Sequence, residues 1–300
     1  MTPASDTETG VREPWREVAA GFFADRLAVA GLVLFAAIAV LAVLAPWIAP
    51  QDPYDLANLN LSDGRLEPWS TGTEGYFYWL GTDDQGRDLV AAIMYGFRVS
   101  LGIGAASSLV ALAIGTAVGL ASAYAGGWIG DAIMRLVDFQ LSIPAVLLAL
   151  MMVALVGSGI DKIFIALVSV QWAYYARTVR GVAIVEMERD YVAAARGLCL
   201  SPARILFAHL LPNCLPPLLV VVTIQIAAAI ALEATLSFLG LGLPVTEPSL
   251  GLLLANGFQY MLSGRYWMSV FPGVALLLMI VSINLVGDRL RELLNPRLQA

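Results

Sequence analysis

The chain has 300 residues, 59% of them hydrophobic and 13% charged, with a mean hydropathy of +0.78; soluble domains carry about 25% charged residues. This composition excludes a soluble globular protein and places the chain in a membrane. The formal net charge of −6 says little about partners, because the acids gather in one loop.

Residues 1–12 are polar and read as a disordered tail. Trp15, Val18, Ala19, Phe22 and Phe23 then fall on one helical face among Arg16, Glu17 and Arg26, a pattern suited to a helix lying at the membrane surface. Leu27–Ala49 is the first apolar run. At roughly 20 residues it crosses a bilayer and exceeds the core of a cleavable signal. Residues 50–97 form the longest polar region, holding Asp52, Asp55, Asp63, Glu67, Glu74, Asp83, Asp84 and Asp88. Within it, LGTDDQGRD at Leu80–Asp88 invites a calcium reading, but the closing glutamate of such a loop is absent. Caps and ion pairs at the start of a helix over Arg87–Phe97 are the better expectation.

Further apolar runs cover Val99–Ala123, Ile133–Val156, Phe164–Ala183, Leu215–Leu243 and Trp267–Val286, which with the first gives six spans. Arginine and lysine near the span ends set the orientation. With the N-terminus inside, twelve basic residues lie inside and five, Arg65, Arg87, Arg98, Lys162 and Arg265, lie outside. Both ends are thus expected in the cytoplasm, with an inner tail at 1–26, an outer loop at 50–97, a core of spans at 98–288 and a second tail at 289–300.

Between two of the runs, Glu186–Asn213 reads EMERDYVAAARGLCLSPARILFAHLLPN. An insert this polar cannot cross a bilayer, yet it is rich in helix formers. Asp190 is placed to cap a first helix, Ala-rich through Leu198. Ser201-Pro202 then pairs a hydroxyl cap with proline at the first helical position. The second helix is expected to run to Leu211 and stop before Pro212. On spacing alone the segment is equally an ordinary solvated helical hairpin. Both cysteines, Cys199 and Cys214, fall in or beside it and are read as reduced thiols without a disulfide framework.

Other features have packing explanations. Gly115 and Gly119 form a GxxxG pair suited to close helix contact. Gly102 and Gly104 lack the strand and third glycine of a dinucleotide turn. Pro144 and Pro272 are expected to kink or start helices. Asp138 and Glu233 stand out, because an ionisable group at membrane depth is costly and faces the bundle interior or water. Glu233 is expected to hold helices together rather than bind substrate. Catalytic chemistry is missing: the only lysine, Lys162, follows GSGID and not a P-loop, the single histidine His209 rules out HExxH, and no GxSxG elbow occurs.

The stretch YVAAARGLCLSPARILFAHLLPN resembles the signature segment of permease subunits of bacterial ABC importers, through Tyr191, Ala194, Ala195, Arg196, Ser201, Arg204, Leu211, Pro212 and Asn213. More narrowly, the chain resembles the second permease of the dipeptide/oligopeptide/nickel importer family. GTDDQGRD in the polar loop, LEATLSFLGLG around Glu233, and the tail FPG to NLVGDRLRELLNPRL extend the likeness over about Leu27–Leu298. The resemblance implies an all-α membrane protein, a six-helix MetI-like transmembrane domain of the type I importers with cytoplasmic coupling helices. It implies that Asp190, Tyr191, Ala194, Ala195, Arg196, Gly197, Cys199, Ser201, Arg204 and Pro212 dock into a cytoplasmic ATPase. It also implies a paralogous permease, two ATPase subunits and an extracytoplasmic binding protein as partners in the inner membrane. ATP and magnesium then belong to the ATPases, with no cofactor in this chain and no nucleic acid among its partners. Coupling-helix motion would rock the spans between inward- and outward-open states. A bulky charge at Ala195 or Gly197 is expected to uncouple hydrolysis from transport. In one departure, Cys199 stands where the motif has glycine and a glycine stands instead at Gly197, so a shifted or stiffer bend is expected. The competing reading is a self-sufficient secondary transporter or channel with Asp138 and Glu233 as ion sites, which predicts inverted repeats. No internal duplication is visible, and that reading leaves the polar segment unexplained. Within the importer reading the substrate is expected to be a peptide, with nickel complexes, modified peptides or sugars as alternatives.

Overall fold

Asp25 starts the first long helix by accepting the free amide of Leu27 (2.8 Å). In the computed structural model, residues 14–55, 59–244, 247 and 249–294 are described; the tail expected to be disordered lies outside them. A short helix α1 (Pro14–Ala24) precedes α2 (Arg26–Ile48). Loop 50–88 follows, with a two-residue antiparallel pair, β1 (Ser70–Thr71) and β2 (Phe77–Tyr78), in the register Ser70 to Tyr78. The remaining helices are α3 (Leu89–Ala125), α4 (Gly127–Ser142), α5 (Ala145–Val156), α6 (Ile160–Met187), α7 (Asp190–Gly197), α8 (Pro202–Phe238), α9 (Leu250–Gln259) and α10 (Trp267–Leu294).

The central contact is α3 against α6, and the GxxxG pair makes it. A Cβ on Gly119 would stand 2.6 Å from the Ala176 carbonyl oxygen, and one on Gly115 would strike the Trp172 carbonyl. The Ser108 and Tyr175 hydroxyls share a hydrogen bond (2.5 Å) beside this crossing. On one flank, α2 and α10 pack with α8 and α9 around Ile38, Ile93, Phe97, Ile230, Leu253 and Met279. On the other, α5 and α6 enclose Ala149, Val153, Ile163 and Leu167 with α3 and α8.

The expected spans are recovered with three differences. The helix expected over Arg87–Phe97 and the span over Val99–Ala123 are one element, α3, whose 37 residues make about 55 Å of helix. That length exceeds a hydrocarbon core of about 30 Å, and its first turn packs at the head of α10, where Leu89 meets Trp267 and Met268 with Leu80 of the loop beside them. Asp88 caps α3 through Val90 N (2.6 Å) and Ala91 N (3.1 Å). The run Ile133–Val156 is broken: α4 and α5 are bent by 92°. Proline has no N–H and biases the preceding residue away from helix, and Ile143 indeed lies at φ −86°, ψ 129°, with Pro144 at the head of α5. Lastly, α6 is long enough to span but not apolar enough by composition, since Gln171, Arg177 and Arg180 interrupt it. Among the described residues, four helices are therefore long and apolar enough to cross a membrane, or five if the bent pair is one span, short of the six expected.

The interfacial helix expected near the N-terminus is present as α1, but it is not a free surface element. Phe22 is buried, a Cβ on Gly21 would meet Leu293, and Arg289 donates to the Gly21 carbonyl (2.8 Å). The two ends of the described chain are therefore joined.

Candidate functional site

The 186–213 segment folds as two helical pieces at a bend, set against the ends of α6 and α3. The first piece, α7, closes with Leu200 N donating to Ala195 O (3.2 Å) and Cys199 N to Arg196 O (2.9 Å). This pair of bonds is a Schellman closure, whose C′ residue must be left-handed and is usually glycine. Cys199 occupies it at φ 52°. The bend is thus not shifted to Gly197, where an added Cβ would meet nothing within 4 Å; it stays at the motif position, with a cysteine held where glycine is preferred. Ser201 caps the next helix through Arg204 N (3.4 Å), with Pro202 at its first position, as its sequence requires.

Two local expectations are corrected. Asp190 does not cap α7: Arg189 is the cap residue, without a side-chain bond, and Asp190 sits in the first turn. There its carboxylate still favours the positive end of the helix dipole. Nor does the second helix stop before Pro212. It continues to Phe238 through Pro212, Pro216 and Pro217. A π-helical stretch over Ile205–Leu210 widens the helix just ahead of Pro212, with Leu211 N bonded back to Leu206 O. Such a turn relieves the clash a proline ring otherwise makes with the preceding turn. The Asn213 side chain satisfies the His209 carbonyl (2.8 Å).

Side chains from three elements converge on Tyr191. Its hydroxyl donates to Glu186 Oε2 (2.9 Å) on α6 and accepts from Asn213 Nδ2 (3.1 Å) on α8. Burial and the Glu186 carboxylate push the Tyr191 phenol up from its ordinary value, keeping it a donor. Beneath this, Val192 and Ala195 are buried in a cluster with Val179, Ala183, Ile205, Leu210 and Cys214. Ala195 therefore faces the helices above, and a charge there would break packing before it met any partner. Ala194, Arg196, Gly197, Cys199, Ser201 and Arg204 face outward, and so do two apolar residues that the sequence did not single out, Leu198 (75% exposed) and Phe207 (61% exposed). Both cysteines are free thiols, Cys199 exposed and Cys214 buried.

Residues 89–300 match the family model described as "Binding-protein-dependent transport system inner membrane component". The chain belongs to this family. Residues 13–68 match a second model, the N-terminal TM domain of oligopeptide transport permease C. The chain is similar to the di/tripeptide transport system permease protein DppC of Pseudomonas aeruginosa, with 37% identity covering 99% of this chain and 97% of that one. It is also similar to the glutathione transport system permease protein GsiD of Pectobacterium atrosepticum, at 35% identity over 98% and 94% of the two chains. Among solved structures, an inward-facing MetNI methionine ABC transporter aligns at a TM-score of 0.55 and 22% identity, covering 67% of this chain and 96% of that one. The fold is that of the MetI-like importer domain. The protein is a multi-pass permease of the inner membrane, a transport subunit and not an enzyme, and its system includes an ATPase and a substrate-binding protein.

The permease places its two intramembrane acids differently. Glu233 is fully buried on α8 and accepts from Ser100 Oγ of α3 (2.9 Å) and Ser237 Oγ (2.8 Å). Asp138 does not face the bundle interior. It lies half exposed on α4, paired with Arg177 of α6. Arg180, bonded to Asp131 (2.8 Å) and the Gly130 carbonyl (2.8 Å), extends that polar seam between α4 and α6.

In loop 50–88 the carboxylates organise backbone. Asp63 accepts from Thr73 N (2.8 Å) and Tyr78 Oη (3.3 Å), and Asp83 from Gln85 N and Arg87 N (both 2.9 Å). Burial lifts the Asp83 carboxyl to about 6, outweighing the backbone bonds and the nearby Arg87. Among the described residues no group of three or more His, Cys, Asp or Glu is placed to hold a metal ion.

Proposed function

We propose that the chain is the second permease of a peptide importer, forming half of the pathway beside a paralogous permease, and that 186–213 is its coupling segment. The observation that carries the coupling role is the exposed pair Leu198 and Phe207, flanked by Arg196 and Arg204 on a segment whose other face is packed and hydrogen-bonded into the permease. An apolar centre with an arginine rim has the composition of a protein docking patch. In this reading two ATPase subunits lie below and bind ATP and magnesium, one of them held by this patch through Tyr191–Pro212. Ala195 packs the segment into the permease and the Tyr191 and Ser201 hydroxyls fix its shape, while Asp190, Ala194, Arg196, Gly197, Cys199 and Arg204 meet the ATPase. A binding protein delivers the substrate from outside.

The distribution of basic residues supports cytoplasmic ends and a cytoplasmic coupling segment. The joining of α1 to α10 supports both ends lying on one side. The peptide substrate is supported by the names of the relatives. Purification of the whole importer tests the docking role: Leu198→Asp with Phe207→Asp is expected to release the ATPase while the paired permease stays bound. Retention of the ATPase with normal uptake would refute it.

A further inference from the structure

Between α5, α6 and α8 lies a cavity of about 290 Å³, lined by Ala145, Val170, Gln171, Gln225, Ala231 and Thr235 among others. Gln171 is 2% exposed, and neither its Oε1 nor its Nε2 has a hydrogen-bond partner. Gln225 faces the same space from α8 and is 7% exposed. Buried polar groups are almost always paired, and an unpaired one within a membrane protein is costly. An unpaired carboxamide at Gln171, with a second carboxamide, Gln225, lining the same cavity from α8, calls for an occupant that pairs with them.

The lining contains no charged side chain, so the chemistry offered is that of the amide. A carboxamide presents a carbonyl acceptor beside N–H donors, which complements the C=O and N–H of a peptide bond. A second cavity, of about 360 Å³, shares Ala231 and Thr235 with the first and continues along α8 to Phe238. The Phe238 and Phe258 rings meet edge-on at 5.6 Å at that end. The shared wall is built from small residues, Ala231 and Thr235, which leaves room for side chains of varied size.

We propose that Gln171 and Gln225 form a station for the backbone amide of the peptide in transit, so that the permease itself reads the peptide bond and leaves the side chains unread. The proposal rests on the peptide-importer reading above. Its test uses the complete importer in proteoliposomes, with labelled dialanine and its N-methylated analogue alanyl-N-methylalanine, which lacks the amide N–H. The binding protein is the same in every sample, so a change in the uptake ratio of the two probes reports the permease.

Gln171→Leu removes an unpaired buried group, so its thermal stability is expected to equal or exceed the parent's, with partner subunits retained. Dialanine uptake is expected to fall about tenfold and the preference for dialanine over alanyl-N-methylalanine to shrink at least threefold, with Gln225→Leu acting in the same direction. An unchanged ratio, whether uptake falls or not, overturns the amide station. Loss of the paired permease from Gln171→Leu also overturns it, and assigns the cavity to the interface between permeases. If the parent importer moves neither probe while binding protein still stimulates its ATPase, the peptide reading itself fails and the station with it.

Discussion

Glu233→Ala tests whether the buried carboxyl of α8 is a tie between helices. The side chain is fully enclosed and takes hydroxyls from α3 (Ser100, 2.9 Å), from its own helix (Ser237, 2.8 Å) and from Ser249 at the head of α9. Truncation strands these buried hydroxyls, each worth about 1–3 kcal/mol when left unpaired, and adds the cavity left by the lost atoms. A loss of about 4 kcal/mol is expected. Glu233→Gln keeps the volume and one carbonyl acceptor, and its amide can donate to the second serine, so about 1 kcal/mol is expected there. At roughly 2–4 °C per kcal/mol for domains of this size, the alanine variant is expected to melt about 10 °C below the parent. The assay is reaction of a thiol dye with buried Cys214, on a Cys199→Ser background that removes the exposed thiol. An alanine variant that melts with the parent but no longer transports would refute the tie and give the carboxyl a role toward what passes.

Gly119→Ala puts a Cβ 2.6 Å from the Ala176 carbonyl, so a loss of about 1–3 kcal/mol is expected. Gly102→Ala, with nothing within 4 Å of the new atom, is expected to be neutral or stabilising in the same melt. Cys199→Gly removes the cost of a left-handed side chain at φ 52°, roughly 1 kcal/mol, and is expected to slow hydrogen exchange at Leu200 N severalfold; unchanged exchange would show that the cysteine fits without strain. For Asp83, whose carboxyl is raised by burial to about 6, the folded loop holds the proton more tightly than the unfolded chain. Stability of loop 59–88 is therefore expected to fall as pH rises from about 4 to about 6 and to level off above that. Hydrogen exchange across this range checks it, and Asp83→Asn is expected to flatten the slope.

Much of the architecture was legible because it depends on local chemistry. Asp88 caps α3, Ser201-Pro202 starts α8, Pro144 breaks a span, and Gly115 with Gly119 marks the α3–α6 crossing. What was hidden is mostly a matter of which side of a helix faces where. Spans such as α2 are apolar all round, so periodicity does not identify the packed face. Likewise α7 carries three successive alanines, Ala193, Ala194 and Ala195, and nothing local distinguishes inward Ala195 from outward Ala194. The partner of Glu233, Ser100, is 133 residues away in the chain. Exposure of Leu198 and Phe207 runs against the expectation for apolar residues and was visible only in the fold. Pro212 misled for a different reason: a lone proline argues for a helix end, and only the π-helical stretch before it allows continuation.

The same stretch bears on how force would travel. Val192, Ala195, Ile205, Leu210 and Cys214 pack with Val179 and Ala183 of α6, and Tyr191 bonds to both Glu186 and Asn213. In the proposed reading, an ATPase that displaces Leu198 and Phe207 therefore drags the ends of α6 and α8 together, because α7 is fastened to each. Those two helices also carry Gln171 and Gln225 on facing walls of one cavity. Two prolines, Pro216 and Pro217, lie in α8 between the fastening and Gln225, and each lacks the N–H that would stiffen its turn. The helix is thus firmest at its fastened end and beyond Gln225, and softest between. Displacement from below is then expressed most readily as a change of angle below Gln225, which alters the spacing of the two carboxamides while Glu233 and Ser100 keep the far end of α8 tied to α3.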